Sequence, residues 1–188
     1  MFDAFLEARH AVGDENLVRE DRKEVFYDRN LLSQAKEIIE GLDYPLPVDD
    51  QDWARFPYAS CYTYALGLPF GKPFLIGDFI GDRMTHHNTI KEIVYTFKAE
   101  MEELGFWVED AEVCEETDPM SGAFKLFLNF DNRNNYHLIR QNEDGSWTRK
   151  TVGELPTMMH LGGRSFSHPD DWSRIMKGEG FCFMAYKP

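Results

Sequence analysis

The spacing of apolar residues changes once along the chain, and this change restricts the fold more than any other feature. From 90 to 104 apolar residues recur every three or four positions and form one helical stripe: Ile90, Ile93, Val94, Phe97, Met101 and Leu104. Beyond Gly105 the pattern becomes that of strands, in "AFKLFLNF", "NNYHLIRQ", "SWTRKTV" and "GFCFMAYK", and the turn sequence "NEDG" joins the middle two as a hairpin. Helices followed by antiparallel strands predict an α+β fold with a central antiparallel sheet.

Capping residues predict where the helices begin and end. Asn88 or Thr89 is expected to begin the helix that Gly105 ends. A shorter helix is expected from Cys61 to Leu66, with Ser60 as its N-cap and Gly67 at its end.

Residues 1–45 have helical periodicity, clearest in "DRNLLSQAKEIIEGL", and Pro45 and Pro47 then interrupt the chain. We therefore expect an N-terminal helical extension over 1–48, packed on a main domain over 49–188.

The charge of the chain excludes several classes of partner. A formal net charge of −13 disfavours nucleic acid and anionic membrane surfaces, because both require clustered Lys and Arg. The first twenty residues lack the cationic start and apolar run that a secretory signal is expected to have, and no apolar run approaches the roughly 18 residues of a membrane-spanning helix. We therefore expect a cytoplasmic protein, or one exported by a route that the sequence does not show.

The three cysteines are widely spaced, which favours isolated thiols over a disulfide framework or a cysteine-built zinc site. Cys182 has the surroundings of a packing residue, and the carboxylates around Cys114 are expected to raise its pKa. Cys61 differs because it follows a good N-cap. The partial positive charge of a helix N-terminus is expected to stabilise its thiolate, and the adjacent amides suit an oxyanion.

A cysteine nucleophile requires an acid–base partner, and His137 is the best candidate because it begins a predicted strand after a polar loop. Tyr136 and Leu138 are expected on the opposite face of that strand. A packing role for Cys61 and a solvent-exposed or hydrogen-bonded role for His137 are the structural alternatives.

Two stretches carry a resemblance to known proteins: "SCYTYALG" (60–67) and "YHLIRQNEDGSWTRK" (136–150). They resemble the NlpC-type cell-wall cysteine peptidases, and more closely a set of uncharacterised bacterial and phage papain-like proteins with an "NCYAYAL … YHxxRQxxDGxWSHK" pattern. The resemblance covers about residues 56–160. It implies a papain-like fold in which Cys61 is the nucleophile and His137 the general acid–base.

The residue that orients the catalytic histidine in this group, often another His, corresponds here to Arg149. An arginine cannot accept a hydrogen bond, and its charge is expected to lower the pKa of His137. Either the dyad works alone, or another acceptor such as Gln141 or Asn142 replaces the missing one, or the chain is no longer a hydrolase. Candidate substrate contacts are Tyr58, Ser60, Tyr62 and Gln141.

The resemblance implies cleavage of an amide bond in a peptide, a protein or a peptidoglycan stem peptide, with no cofactor. No metal site is expected, because the adjacent His86 and His87 lack a recognised ligand spacing. Two alternatives remain. The same dyad would support acyl transfer or deamidation. A degenerate papain-like protein would instead be a binding module that grips a host protein, as a phage or mobile-element effector or inhibitor.

Overall fold

The computed structural model describes residues 29–42, 44, 53–111, 122–131, 135–158, 160–161, 164–165 and 179–188. The predicted helical structure of residues 1–28, the domain boundary at 48 and Cys114 lie outside these residues.

Three helices are described: α1 (Arg29–Glu40), α2 (Cys61–Ala65) and α3 (Ile90–Glu103). All three were predicted, and Ser60 and Thr89 are the N-caps of the second and third. At the start of α3 the Thr89 side chain accepts from the Glu92 amide, and the Glu92 carboxylate accepts from the Thr89 amide at 2.7 Å. This capping box explains why the helix begins there.

The described strands are β1 (Trp107–Ala111), β2 (Ala123–Phe130), β3 (Tyr136–Gln141), β4 (Trp147–Arg149), β5 (Thr157–Met158), β6 (His160–Leu161), β7 (Arg164–Ser165) and β8 (Gly180–Tyr186). Six of them form one sheet in the order β1-β8-β2-β3-β4-β5, with every neighbouring pair antiparallel. Strands β6 and β7 pair separately. The predicted α+β fold is therefore confirmed, whereas β1 and the short strands β5 to β7 were not predicted.

The central strand β2 is buried along its whole length because both faces of the sheet are covered. On the helix face its side chains join the main core with α1, α2 and α3, and these are Phe124, Leu126, Leu128 and Phe130. On the opposite face Phe127 packs with Ile139, Trp147 and Cys182. Residues of β2 and β3 that pair directly share a face. Leu138, which pairs with Leu128, therefore lies on the helix face, and His137, which pairs with Asn129, lies on the opposite face.

Cys182 packs in the cluster around Phe127 as predicted, but it is not an isolated thiol. It is part of a disulfide whose partner is not among the described residues, whereas Cys61 is free. The sequence did not reveal this bond, because wide spacing does not show which cysteines the fold brings together. The cytoplasmic location stays a prediction, and the disulfide does not favour it, because disulfides are rare in the cytosol. No helix within the described ranges is long and apolar enough to cross a membrane.

A tight loop over residues 75–84 lies in the connection between α2 and α3. Backbone hydrogen bonds close it, from Asp82 to Gly77 and from Met84 to Ile76, both at 2.8 Å. Gly77 has φ 90°, and a Cβ atom placed there would lie 1.8 Å from the Asp82 carbonyl oxygen. Only glycine fits this position.

We expect Gly77→Ala to lower the free energy of unfolding by more than about 3 kcal/mol, since the overlap with backbone atoms adds to the roughly 1–3 kcal/mol of a strained φ. Urea unfolding measures the change. Gly71→Ala is the matched control, because a Cβ atom there meets nothing within 4 Å. Equal stability of the two variants would contradict this description of the loop.

Candidate functional site

Helix α2 begins at Cys61, as its capping residues predict. The Ser60 hydroxyl oxygen accepts from the Thr63 amide at 3.2 Å, and the chain leaves the helix through Gly67 at φ 68°. A helix of five residues is not stable alone, so the surrounding elements must determine its position.

Hydrogen bonds from three directions fix α2. The Tyr62 hydroxyl donates to the Glu100 carboxylate of α3 at 2.5 Å. The Tyr64 hydroxyl bonds the Thr148 hydroxyl of β4 at 2.8 Å. At the other end, a guanidinium nitrogen of Arg140 on β3 donates to the Ala65 carbonyl at 3.1 Å. The first residue of α2 is therefore held rigidly against β3 and β4.

The turn before Cys61 is fixed by Lys150, a residue that the sequence analysis missed. Its buried ammonium donates to the carbonyls of Pro57 at 2.9 Å and Ala59 at 3.1 Å, and burial lowers its pKa to about 8. Strand alternation could have indicated this role, because Lys150 follows Thr148 by two positions and therefore shares its face.

The Cys61 sulfur lies beside the backbone of β3. Cys61 as a residue is partly exposed, and the Leu138 amide, the Arg149 charge and the amides of Tyr62 and Cys61 all favour its thiolate. Backbone N–H groups of a strand point sideways, within the plane of the sheet, so the effect of the Leu138 amide does not by itself place the sulfur on the face that carries His137.

Burial outweighs these favourable groups and raises the pKa of the Cys61 thiol above its ordinary value. The sequence predicted that the helix N-terminus would stabilise the thiolate. The weakness of that effect here has a physical reason, because α2 has little more than one turn of aligned peptide dipoles.

His137 lies one residue before Leu138, on the opposite face of β3, where it pairs with Asn129 of β2. Burial, followed by the charge of Arg149, lowers its pKa to about 4, while Asp131 acts in the other direction. The effect of Arg149 has the sign that the sequence predicted. The imidazole is therefore neutral at pH 7. No hydrogen bond joins the described Cys61 thiol and His137 ring.

The four predicted substrate contacts lie in different surroundings. Tyr58 is 39% exposed, whereas Ser60 and Tyr62 are buried and offer no surface to a substrate. The Gln141 amide donates to the Gly145 carbonyl in the turn between β3 and β4, at 3.2 Å. This bond directs its side chain toward the end of β3 that is distant from His137.

Tyr136 also belongs to the surroundings of Cys61. The sequence had placed it only on the strand face opposite His137. Its hydroxyl accepts from the Ile76 amide at 3.0 Å, so the loop 75–84 meets the site here. Burial, followed by the charge of Cys61, raises its pKa well above the ordinary value. The phenol therefore stays protonated and can donate a hydrogen bond.

Glu100 links the same loop to α2. Its carboxylate accepts from the Gly77 amide at 2.6 Å and the Phe79 amide at 2.7 Å as well as from Tyr62. Burial raises its pKa to about 7 in spite of these donors. One buried carboxyl group thus connects α3, the loop and the residue after Cys61.

Comparison with known proteins found no family model, no curated protein and no solved structure that matches this chain. The resemblance to papain-like proteins therefore stays a hypothesis based on the residues quoted above.

We expect alkylation of Cys61 by iodoacetamide to be slower at pH 7 than that of an unperturbed thiol, and to keep accelerating above pH 9, because its raised pKa delays formation of the thiolate. Peptide mapping by mass spectrometry follows Cys61 alone, and a short cysteine peptide is the reference. A reaction that reaches its maximum below pH 8 would contradict the dominance of burial.

We expect Glu100 to make stability depend on pH. A raised pKa means that folding favours the protonated acid, so this contribution is complete below about pH 4.3 and is lost as the pH rises through 7. The loss should be on the order of 3 kcal/mol between these limits. Urea unfolding at several pH values should show a flatter dependence for Glu100→Gln than for the wild type. Glu103→Gln, at the exposed end of α3, is the control and should keep the wild-type slope.

Proposed function

We propose that the protein is a papain-like thiol hydrolase that cleaves an amide bond in a peptide, a protein or a peptidoglycan stem peptide. The observation that carries this proposal is the packing of α2 on β3, with the Leu138 amide, from the residue that follows His137, lowering the pKa of the Cys61 thiol. A neutral imidazole next to a nucleophilic thiol is the minimum that covalent acyl chemistry requires.

The proposed reaction has two halves. His137 takes the thiol proton as the Cys61 sulfur attacks the substrate carbonyl, and a carbon–sulfur bond forms. The carbon–nitrogen bond then breaks, and His137 returns the proton to the departing amine. Water, deprotonated by His137, attacks the thioester, which releases the acid and restores the thiol.

The pKa directions favour a resting pair in which both groups are neutral. The pKa of the thiol is raised and that of the imidazole is lowered to about 4, so an ion pair is disfavoured before substrate binds. Proton transfer is then coupled to attack on the carbonyl. The backbone amides of Leu138, Tyr62 and Cys61, which favour the thiolate, are candidates to stabilise the oxyanion of the intermediate.

Arg149 favours a second candidate function. It stands where the resemblance places a hydrogen-bond acceptor, and its charge opposes protonation of His137. A chain that has lost turnover in this way would be a protein-binding module that keeps the fold. Acyl transfer and deamidation would use the same two residues. Acyl transfer differs from hydrolysis in the group that accepts the acyl group, and deamidation differs in the amide that donates it.

We expect p-nitrophenyl acetate to acetylate Cys61, and His137→Ala to slow that step by about 100-fold or more, since a positioned acid–base group contributes roughly 10²–10⁴-fold. Intact-mass spectrometry and peptide mapping detect the acetyl group. His87→Ala, which removes an exposed histidine from a turn, is the matched control and should react like the wild type. An unreactive Cys61, or a rate that does not depend on His137, would contradict the enzyme and favour the binding module.

A further inference from the structure

The hairpin between β2 and β3 fixes a carboxylate close to His137. The Asp131 amide donates to the Asn135 carbonyl at 2.9 Å and closes the turn. The Asp131 carboxylate accepts from the Asn135 amide at 3.0 Å and from its side-chain nitrogen at 2.9 Å. Asn135 is buried, so the carboxylate is held in one orientation.

The strand register places this carboxylate on the same face as the imidazole. Asn129 pairs directly with His137, and Asp131 follows Asn129 by two positions, which makes it a diagonal neighbour of His137. Diagonal neighbours in an antiparallel pair have Cα atoms roughly 7–8 Å apart, a distance that an Asp and a His side chain can bridge.

We propose that Asp131 is the positioning residue of His137: it accepts a hydrogen bond from the imidazole and stabilises the imidazolium that forms during catalysis. This inference rests on the function proposed above. It assigns to the turn before β3 a role that the sequence pattern located at position 149, on the strand after β3.

The other groups around His137 are poorer candidates for this role. Arg149 is a cation and cannot accept a hydrogen bond. Gln141 is bonded to the turn at the far end of β3. Asn129 is neutral and cannot offset the charge of an imidazolium. The charge of Asp131 raises the pKa of His137 and so opposes the effect of Arg149.

Asp131 does not take the proton in this scheme. It stays ionised while the proton moves from the Cys61 sulfur to one imidazole nitrogen, and it accepts from the N–H of the other nitrogen. The carboxylate of the serine protease triad acts on its histidine in the same way. Because Asp131 is only partly buried, we expect its removal to cost about tenfold in rate, well below the effect of a buried triad carboxylate.

The test compares Asp131→Asn with Asp144→Asn. Asp144 is the matched control because its carboxylate likewise accepts from a turn residue, Ser146, at the distant end of β3. The first measurement is an NMR titration of the His137 ring, which does not require turnover. The second is the pH profile of Cys61 acetylation by p-nitrophenyl acetate.

Asp131→Asn should lower the pKa of His137 and slow acetylation by about tenfold, whereas Asp144→Asn should change neither. Asp131→Glu keeps the negative charge and should restore part of the His137 pKa and part of the acetylation rate. This variant separates the electrostatic role of Asp131 from its role in the folding of the turn. Equal His137 titration curves in the wild type and Asp131→Asn would overturn the inference, even if Cys61 remains an active nucleophile. A shifted titration with no acetylation in any variant would contradict the hydrolase and would overturn the catalytic role of Asp131 with it.

Discussion

The five-residue helix α2 owes its position to side chains of other elements, because a single helical turn has almost no stability of its own. The Tyr62–Glu100 bond ties it to α3, and the bond from Arg140 to the Ala65 carbonyl ties it to β3. Lys150 holds the turn before it. These bonds are buried, so losing one partner would leave the other unsatisfied at a cost of about 1–3 kcal/mol. The orientation of Cys61 at the start of α2 therefore depends on α3, β3 and Lys150 together.

This constraint also determines the chemistry that the site can perform. Helix α2 packs on one face of the sheet and His137 lies on the other face of β3, so the proposed Cys61–His137 pair has to meet across the edge of that strand. Burial shifts the two pKa values apart, so both groups are neutral at rest. His137 is in addition subject to the opposed charges of Asp131 and Arg149. These two charges modify the larger effect of burial, which opposes formation of the imidazolium.

Patterns among neighbouring residues predicted most of the helices, strands and turns, but they did not predict contacts between distant parts of the chain. The apolar stripe and caps of α3, the Ser60 cap of α2 and the turn between β3 and β4 are encoded by neighbouring residues, and all were found. Strand β1 was missed because its residues, Trp107–Ala111, are mostly exposed and polar and have no buried alternation. The disulfide of Cys182 and the clamp of Lys150 join distant parts of the chain. For the site, the sequence singled out Cys61 and His137, but the pKa of a thiol depends on a burial that composition does not reveal.

The central claim is that the Cys61 sulfur and the His137 imidazole are neighbours across the edge of β3. NMR measures this directly when Cys61 is converted to its methylthio disulfide, a small neutral modification. We predict clear shifts of the His137 ring resonances and of the Leu138 amide, with little change at the exposed His87. Unchanged His137 and Leu138 signals on a fully modified, folded protein would contradict the account.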